Sequence, residues 1–172
     1  MKKIFIFILS TIYACGFSQV AIGKGSVTNT SVSLEFETGN KGMVLPWVVS
    51  AAGVTGAVDG TIIYDTTDHK VKYRKNNSWF DLSVDANGTA NTILQDSKTE
   101  LTNAKVAIGT NAPTDNTPGI LVLTDTDKAM ILPKTTLPHL NVKNPPAGMI
   151  IYDTANKQLA VFNGTVWSFW KP

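Results

Sequence analysis

The feature that most constrains the fold is a heptapeptide that occurs twice with one substitution, GTIIYDT at residues 60–66 and GMIIYDT at residues 148–154. Three further segments recur in the same order: VAIG from Val20 and Val106, KGMVLP from Lys41 with KAMILP from Lys128, and a tryptophan at Trp79 and Trp167. The offsets are 86, 87 and 88 residues, and such small slips are typical of loops that differ in length. Matches in this order indicate two copies of one structural unit.

Each heptapeptide has the composition of a β-strand followed by a turn. Its apolar, β-branched and aromatic residues begin after a glycine and end at Asp-Thr, which is a strand signal. Asp65 and Asp153 can each accept a hydrogen bond from the backbone N–H two residues further on, and this interaction turns the chain. The repeated segment is therefore predicted to be the first strand and turn of a small sheet in each copy.

Two more strands are predicted after each heptapeptide. Residues 70–74 alternate polar and apolar side chains, and residues 158–162 do so less regularly, as expected for half-buried strands. The pairs Asn76-Asn77 and Asn163-Gly164 tolerate the positive φ angles of a tight hairpin. The strand after each turn carries the repeated tryptophan. Each copy is predicted to end in a three-stranded meander.

Upstream of each meander, residues 34–37 and 119–123 predict one more strand, leading to the MVLP and MILP segments, where proline ends strand pairing. Residues 93–104 contain threonine, aspartate and asparagine that disfavour a helix, so we expect a linker with a strand leading into Val106. The predicted fold class is all-β, with two tandem small β-meander units. The predicted boundaries are a signal peptide at 1–18, a first β repeat at 19–83, a linker or strand at 84–105 and a second β repeat at 106–172.

The N-terminus has the pattern of a secretory signal peptide. Residues 2–3 are lysines, and the apolar run at 4–14 is too short to span a bilayer. Small residues around Ser18 place cleavage after that residue, so the mature chain is expected to begin at Gln19. We therefore expect export to the cell surface or the extracellular space, with the periplasm as an alternative.

Lipidation is an alternative fate of the N-terminus. The segment that ends at Cys15 loosely matches the acceptor of a lipid anchor, although Tyr13 stands where a small residue is usual. In either case no transmembrane segment is expected in the mature chain.

The charge balance argues against nucleic acid as a partner. The chain has 15 Lys and Arg against 13 Asp and Glu, and removal of the lysines at 2–3 leaves 13 against 13. A neutral chain without a run of like charges has no electrostatic footprint for nucleic acid. Because Cys15 is the only cysteine, a chain from Gln19 has no disulfide, thiol nucleophile or thiolate metal site.

The inventory of catalytic residue types is thin. His69 and His139 fall in predicted loops without a second ligand type at metal spacing, so they are best interpreted as surface histidines. The recurrence of Asp65 and Asp153 is explained better by turn formation than by paired acid–base chemistry. The AIGKGS segment at 21–26 is a strand and turn rather than a phosphate loop, since no helix follows it. We predict no catalytic residue, no cofactor and no metal site.

The aromatic residues fall into two groups. Those at equivalent positions of the two copies are predicted to be structural core: Tyr64, Trp79, Tyr152 and Trp167. Trp47 and Trp170 have no counterpart of the same type in the other copy, and with Tyr73 they form a candidate binding surface that could stack on sugars. Trp170 would be costly to expose alone, which predicts that something covers it.

The chain resembles a repeat of secreted Bacteroidota proteins that is similar to phage tail-fibre segments. The motifs that carry the resemblance are the VAIG openings, the two Lys-x-Met-x-Leu-Pro segments, the two IIYDT segments and the Asn-Gly-x-x-Trp close of the second copy. Ala21 and Ala107 stand where that repeat has glycine, Lys24 stands where it has threonine, and the first copy lacks the Asn-Pro-Pro before Gly148. These departures concern the loops of the first copy more than its fold.

The resemblance implies a non-catalytic, exported fibre, adhesin or cell-surface component. A unit of about 60 residues with few large apolar side chains buries little surface and leaves open strand edges. Packing of three chains would bury both, and the resemblance implies such a homotrimer or a larger surface assembly. The alternatives are a glycan-binding module and a periplasmic or outer-membrane accessory subunit.

The heptapeptides also suggest a modification. Asp65-Thr66-Thr67 and Asp153-Thr154-Ala155 resemble the Asp-Thr acceptor that Bacteroidota use for O-glycosylation of exported proteins. Thr66 and Thr154 are therefore candidate O-glycosylation sites, and a hairpin turn is the alternative reason for the same residues.

Overall fold

The computed structural model describes residues 19–101 and 103–171, and these residues form mainly short β-strands. The strands are β1 (Val20–Ile22), β2 (Val32–Phe36), β3 (Met43–Val44), β4 (Trp47–Val48), β5 (Ile62–Asp65), β6 (Lys70–Lys75), β7 (Ser78–Asp81), β8 (Val106–Ile108), β9 (Leu121–Leu123), β10 (Ala129–Ile131), β11 (Lys134–Thr135), β12 (Met149–Asp153), β13 (Gln158–Phe162) and β14 (Trp167–Trp170). The helical segments in the same residues are 3-10 turns at Ala51–Gly53 and Ala112–Thr114 and four-residue α-helices at Ile93–Asp96 and Pro138–Asn141. The predicted all-β fold is confirmed.

Both predicted meanders are present. Strands β5, β6 and β7 pair antiparallel in sequence order, and so do β12, β13 and β14. Strand β4 adds in parallel to β5 with Trp47 opposite Tyr64, and β11 adds in parallel to β12 with Lys134 opposite Tyr152. The two sheets therefore use the same register, as expected for two copies of one unit.

The turns and strand ends follow the local chemistry of the sequence. Asn76 and Asn77 have φ angles of 51° and 59°, and Gly164 has a φ angle of 101°. Asparagine and glycine are the residues that adopt such angles most readily. Strands β3 and β10 end shortly before Pro46 and Pro133, as predicted from the missing backbone donor.

The two copies are interlocked through the strands that precede these prolines. Strand β3 of the first copy pairs antiparallel with the start of β12 in the second, and Met43 lies opposite Ile150. Strand β10 of the second copy pairs in parallel with β2 of the first, and Met130 lies opposite Leu34. A local sequence pattern specifies a strand without specifying its partner, so this exchange was not predicted.

The first strands of each copy form a parallel pair. In the first copy Val20 lies opposite Leu34, and in the second Val106 lies opposite Leu121. Strand β10 completes the first pair to a three-stranded sheet, whereas the second pair, β8 and β9, forms a two-stranded sheet.

The meanders share one hydrophobic core. Buried side chains from both copies meet in it: Leu45, Tyr64, Val71, Ala147, Ile150 and Val161. A second cluster lies in the second copy and consists of Val142, Met149, Ile151, Ala160 and Phe162, with Trp167 packed against it. Because the larger cluster contains residues of both copies, the two units share one core in the folded chain.

Two local predictions are corrected by the structure. The segment at 84–105 was expected to contain a strand, but its described residues form a helical turn at Ile93–Asp96 and no strand. The apolar side chains Ile93 and Leu94 are exposed there, so no packing selects an extended conformation. His139 was expected in a loop and lies in the helix Pro138–Asn141, which the proline at its first position favours.

The predicted signal peptide at 1–18, including Cys15, lies outside the described residues, as does Pro172. Within residues 19–101 and 103–171, no helix has the length and apolar character needed to cross a membrane.

Candidate functional site

An open apolar cleft lies between the two meanders. Its volume is about 490 Å³. We call this feature the cleft, and it is lined by Gly60, Ile62, Tyr73, Phe80, Asp81, Leu82, Leu159 and Trp170. Apolar side chains dominate this lining, so the cleft is suited to contact with an apolar or aromatic surface.

Strand register builds the cleft from both sides. Ile62 lies opposite Tyr73, and Tyr73 lies opposite Phe80, so one row of side chains crosses the first meander. The rings of Tyr73 and Phe80 have centroids 5.6 Å apart. On the other side Leu159 lies opposite Trp170. Residues that lie opposite each other in neighbouring strands share a face of the sheet, so this register places the side chains on one face of each meander.

Trp170 joins the two walls of the cleft. Its indole Nε1 donates a hydrogen bond to the backbone carbonyl of Leu82, and 42% of the residue's surface is exposed. The polar end of the indole is therefore satisfied within the chain, while much of the ring faces the opening. An anchored, half-exposed aromatic ring of this kind is typical of residues that are covered by a partner.

The charged wall of the cleft is neutralised by ion pairs. Asp81 accepts hydrogen bonds of 2.6 Å from Lys70 Nζ and from Lys72 Nζ, and Lys72 also lies 2.6 Å from Asp68. Burial raises the pKa of Asp81, but the two lysines outweigh it and hold the pKa below the usual range. The pKa of Lys72 is lowered by burial and raised more strongly by Asp68 and Asp81. These groups are thus ionised and paired, and they are poorly suited to proton transfer.

The structure brings together two of the three candidate binding residues. Tyr73 and Trp170 line the cleft, whereas Trp47 is half-buried in the joint between the meanders. The ring of Trp47 lies 5.9 Å from that of Tyr64, and its Nε1 donates a 2.9 Å hydrogen bond to the carbonyl of Ala147. Trp47 is therefore engaged in holding the two copies together.

The four predicted core residues have different surroundings. Tyr64 is fully buried, and Trp167 is half-buried against Phe162 at a centroid distance of 5.1 Å. Tyr152 and Trp79 are also half-buried. The guanidinium of Arg74, which lies shortly before the turn, is 5.7 Å from the centre of the Trp79 ring. Equivalent positions in the repeat thus do not give equivalent burial.

The repeated aspartates close their turns as predicted. The N–H of Thr67 donates to Asp65 Oδ1 at 2.9 Å, and the N–H of Ala155 donates to Asp153 Oδ1 at 3.0 Å. Each buried carboxylate also binds a second segment, since Asp65 accepts from the N–H of Ala51 at 2.7 Å.

Asp153 holds the corresponding segment in the second copy. It accepts from the N–H of Leu137 and from the side chains of Asn156 and Gln158. Burial raises its pKa, but these hydrogen bonds and that from Ala155 outweigh burial and lower the pKa to about 2. Asp153 is therefore a structural anion that anchors the incoming strand to the turn.

The candidate O-glycosylation sites lie directly after these aspartates. Thr66 Oγ1 donates to the carbonyl of Val48 at 3.0 Å, and Thr154 Oγ1 donates to that of Thr135 at 3.2 Å. Thr154 is exposed and Thr66 is half-exposed.

A second exposed apolar surface lies on β8 and β9, and the sequence patterns did not predict it. Leu121 is 41% exposed, whereas its counterpart Leu34 in the first copy is 1% exposed. Val106 and Ile120 beside it are also exposed. The signal that could have revealed this surface is the apolar run at 119–123, which is continuous where the equivalent strand alternates polar and apolar residues.

The histidines and carboxylates do not converge on one site. In residues 19–101 and 103–171, no group of three His, Cys, Asp or Glu side chains lies close enough to hold a metal ion. His139 packs edge-on against Phe169 with ring centroids 5.6 Å apart. His69 is half-buried, and Gly88 packs closely against it.

Comparison with known proteins gives one match. Residues 107–171 match the family described as the phage tail like trimerisation region. This span starts within β8, includes the whole second meander and contains Leu121 and Trp170. Neither a curated protein nor a solved structure matches the chain.

Proposed function

We propose that this chain is a non-catalytic structural component of an exported fibre or cell-surface assembly, in which three copies associate and the second repeat contributes to the contact. The observation that carries the proposal is the match of residues 107–171 to a trimerisation region. Two apolar surfaces support it, because the cleft and the β8–β9 surface both lie partly in that span. Exposed apolar surface of this kind favours association with another protein surface.

Open sheet edges give a second physical reason for association. The chain is built from strands of two to six residues, and its two-stranded sheet β8–β9 is too small to be stable in water without further packing. Association of copies would cover this sheet without disulfide bonds. The same logic makes an adhesin or a fibre subunit a suitable role, since such proteins depend on assembly rather than on a reactive site.

The test is the absolute mass of the chain from Gln19 to Pro172, measured by light scattering on a size-exclusion column. We expect a mass close to three chains that does not change on dilution through the column. The chain mass itself is fixed on the same sample by mass spectrometry under denaturing conditions. A mass close to one chain at every concentration would contradict the proposal.

Export is part of the same proposal, and it depends on the signal pattern of residues 1–18. N-terminal analysis of the protein from its native host should find a chain that begins at Gln19. A lipid-modified Cys15 would support export with an anchor instead, and an intact Met1 would contradict export.

Modification at Thr66 and Thr154 is tested on the same native material. Intact-mass analysis should show a mass above that of the polypeptide if the threonines carry glycans. The exposure of Thr154 favours it as the first site to be modified. A mass equal to that of the polypeptide would contradict modification at both sites.

Glycan binding is a second candidate function, and the observation that favours it is the presence of Tyr73 and Trp170 in one cleft. Aromatic rings of this kind stack on the apolar faces of sugars. Binding on a glycan array should be lost in Trp170→Ala and kept in Phe169→Ala, which removes an exposed aromatic ring outside the cleft lining. Equal binding by both variants, or none by the native protein, would contradict this function.

A further inference from the structure

The two copies use their Lys-x-Met-x-Leu-Pro strands in different ways. Strand β3 pairs with β12, and Val44 lies opposite Met149. Its counterpart β10 pairs with β2 instead, and Ile131 lies opposite Glu35. Met43 and Met130 occupy the same position of the repeat. Among the described residues, β3 pairs with the first strand of a meander, which β10 does not, and β10 pairs with the second strand of a copy, which β3 does not.

The backbone groups of β3 show that its second edge remains available. The N–H of Leu45 donates to the carbonyl of Gly148 at 3.0 Å, so Leu45 and, two residues earlier, Met43 direct their backbone groups toward β12. Alternate residues of a strand point to opposite neighbours, so the backbone groups of Val44 face away from β12. In β10 the N–H of Ala129, two residues before the counterpart of Val44, donates to the carbonyl of Ser31. The edge of β10 that pairs with β2 is therefore equivalent to the edge of β3 that has no partner strand in the described residues.

Strand β9 has the complementary open edge. The N–H of Val106 donates to the carbonyl of Ile120, and the N–H of Thr124 donates to that of Ile108, both at 2.8 Å. These bonds join even-numbered positions to β8, so the backbone groups of Leu121 and Leu123 point away from β8. Within the described part of the chain no strand pairs with that edge. The counterpart edge of β2 is the one that β10 occupies.

We infer that β9 of one chain pairs in parallel with β3 of a second copy of this chain, with Leu121 opposite Met43 and Val122 opposite Val44. The register is that of β2 with β10 after the register shift between Ala129 and Met130, transferred through the repeat. This inference rests on the proposed self-association and names the strands that carry it. The pairing would cover Leu121, the residue whose counterpart Leu34 is buried.

The same transfer of a pairing from one copy of the repeat to the other assigns a partner to the open edge of β10. In the second copy β3 covers the start of β12, but no strand covers the equivalent start of β5 in the described residues. Strand β10 of one chain then pairs antiparallel with the start of β5 of another, with Met130 opposite Ile62. With both contacts, the second edges of β3 and β10 pair with the open edges of β9 and β5, and copies of one chain supply all four.

A difference between the copies supports this second contact. A Cβ atom at Gly42 would lie 2.5 Å from Cγ of Met149, so a larger residue there would force the Met149 side chain to move. Strand β10 has Ala129 at that position, and β5 is preceded by Thr61 where the second copy has Met149. The shorter threonine leaves room for the alanine methyl group, so the two substitutions fit each other across the inferred contact.

The inferred contact joins different surfaces of the two chains. An interface that joins unlike surfaces closes into a ring when the rotation between chains allows it, and otherwise continues as a filament. Three copies in a ring agree with the family match. The contact also removes the open edges that would otherwise lead to uncontrolled aggregation.

Cysteine cross-linking tests the register directly. Val44→Cys and Val122→Cys are made separately in a chain from Gln19, which lacks the single native cysteine. Neighbouring strands lie about 4.8 Å apart, within the Cα separation of about 4.4–6.8 Å that a disulfide requires. After the two variants are mixed, unfolded, refolded together and oxidised, we expect disulfide-linked chains that neither variant forms alone. The double variant should give a covalent trimer on a non-reducing gel.

The control is Val49→Cys, which places a thiol on a residue that is 81% exposed and outside the inferred contact. If the Val49→Cys and Val122→Cys variants become linked to each other as fast as the specific pair, the inference is overturned. A light-scattering mass of three chains without the specific link would overturn the strand pairing and leave the trimer intact. A mass of one chain would overturn both.

A second variant keeps the inference testable if the cysteine variants do not refold. Leu121→Lys places a charge at an exposed position of the open edge and should leave the circular dichroism spectrum unchanged. We expect it to raise the dissociation constant of the trimer by about tenfold or more, which corresponds to about 1.4 kcal/mol, whereas Val49→Lys should not. Equal dissociation of both variants and the native chain would overturn the inference.

Discussion

Tyr64 Oη donates a hydrogen bond of 2.8 Å to the backbone carbonyl of Asn163, and both residues are fully buried. The bond joins the heptapeptide of the first copy to the hairpin turn of the second. Tyr152, the same residue of the second heptapeptide, is half-buried at the edge of a groove. The repeated sequence therefore gives the same local structure twice and two different tertiary contacts.

Removal of this hydroxyl should destabilise the whole chain. In Tyr64→Phe the carbonyl of Asn163 loses a buried donor, and we expect the free energy of unfolding to fall by about 1–3 kcal/mol. Urea unfolding followed by tryptophan fluorescence measures the change. Tyr152→Phe is the matched control and should change the free energy by less than about 0.5 kcal/mol. Equal effects of the two substitutions would contradict the assigned contact.

Stability should fall in acid because of buried or hydrogen-bonded carboxylates. Hydrogen bonds with Lys24 and Thr28 lower the pKa of Glu35 to about 2, and the N–H of Thr110 together with Lys128 lowers that of Asp125 to about 2. With Asp153, these groups bind protons more readily in the unfolded chain than in the folded chain. Their stabilisation is present above the ordinary carboxyl pKa and is lost as the pH falls from about 5 toward 2.

Urea midpoints measured between pH 7 and pH 2.5 test this dependence. Asp153→Asn should be less stable at pH 7 and should show a shallower decrease in acid than the native chain. Asp127→Asn, which changes an exposed carboxylate, is the control and should keep the native slope. A native midpoint that stays constant down to pH 2.5 would contradict the assignment.

The close approach of the linker to the second hairpin should make Gly164 intolerant of a side chain. A Cβ atom there would overlap the carbonyl oxygen of Thr89, and the φ angle of 101° disfavours other residues. We expect Gly164→Ala to lower the free energy of unfolding by about 2 kcal/mol or more. Gly39→Ala, where no atom lies within 4 Å of the new Cβ, should be nearly neutral. Calorimetry that finds equal melting temperatures would refute the linker's placement.

The shared core predicts that the two meanders unfold together. Ile150→Ala removes a fully buried side chain from the cluster that both copies form, and we expect a loss of about 2–5 kcal/mol. Hydrogen exchange should show that amides of β5–β6 and of β12–β13 lose protection to the same extent. Val58→Ala, at a largely exposed residue, serves as the control. Loss of protection in the second meander alone would show that the copies are independent.

Local patterns were sufficient to predict both meanders. The alternation at 70–74, the turn residues Asn76 and Asn77 and the prolines after β3 and β10 act on neighbouring residues, so their effects can be read from short segments. The aspartates were also interpreted correctly, because the bond from Thr67 to Asp65 spans two residues.

Contacts between distant residues could not be predicted in this way. The exchange of β3 and β10 between the copies depends on which edge is free after the chain has folded, and closely similar motifs gave different partners. We predicted Trp47 in a binding surface because the equivalent residue of the second copy is Lys134 and not a tryptophan. The structure gives another reason for this difference, since Trp47 contacts Ala147 in the other copy. Of the three candidate binding residues, only Tyr73 and Trp170 line the same cleft. Their proximity depends on how the two sheets pack together, which the sequence pattern of a single strand does not specify.

The central claim, three copies in one assembly, is tested most directly by counting mixed species. Chains from Gln19 to Pro172 with and without a short N-terminal tag are co-expressed, and the purified assemblies are weighed by native mass spectrometry. A trimer predicts four species that carry zero, one, two or three tags. Two species, corresponding to separate single chains, would contradict the account, and three species would replace the trimer with a dimer.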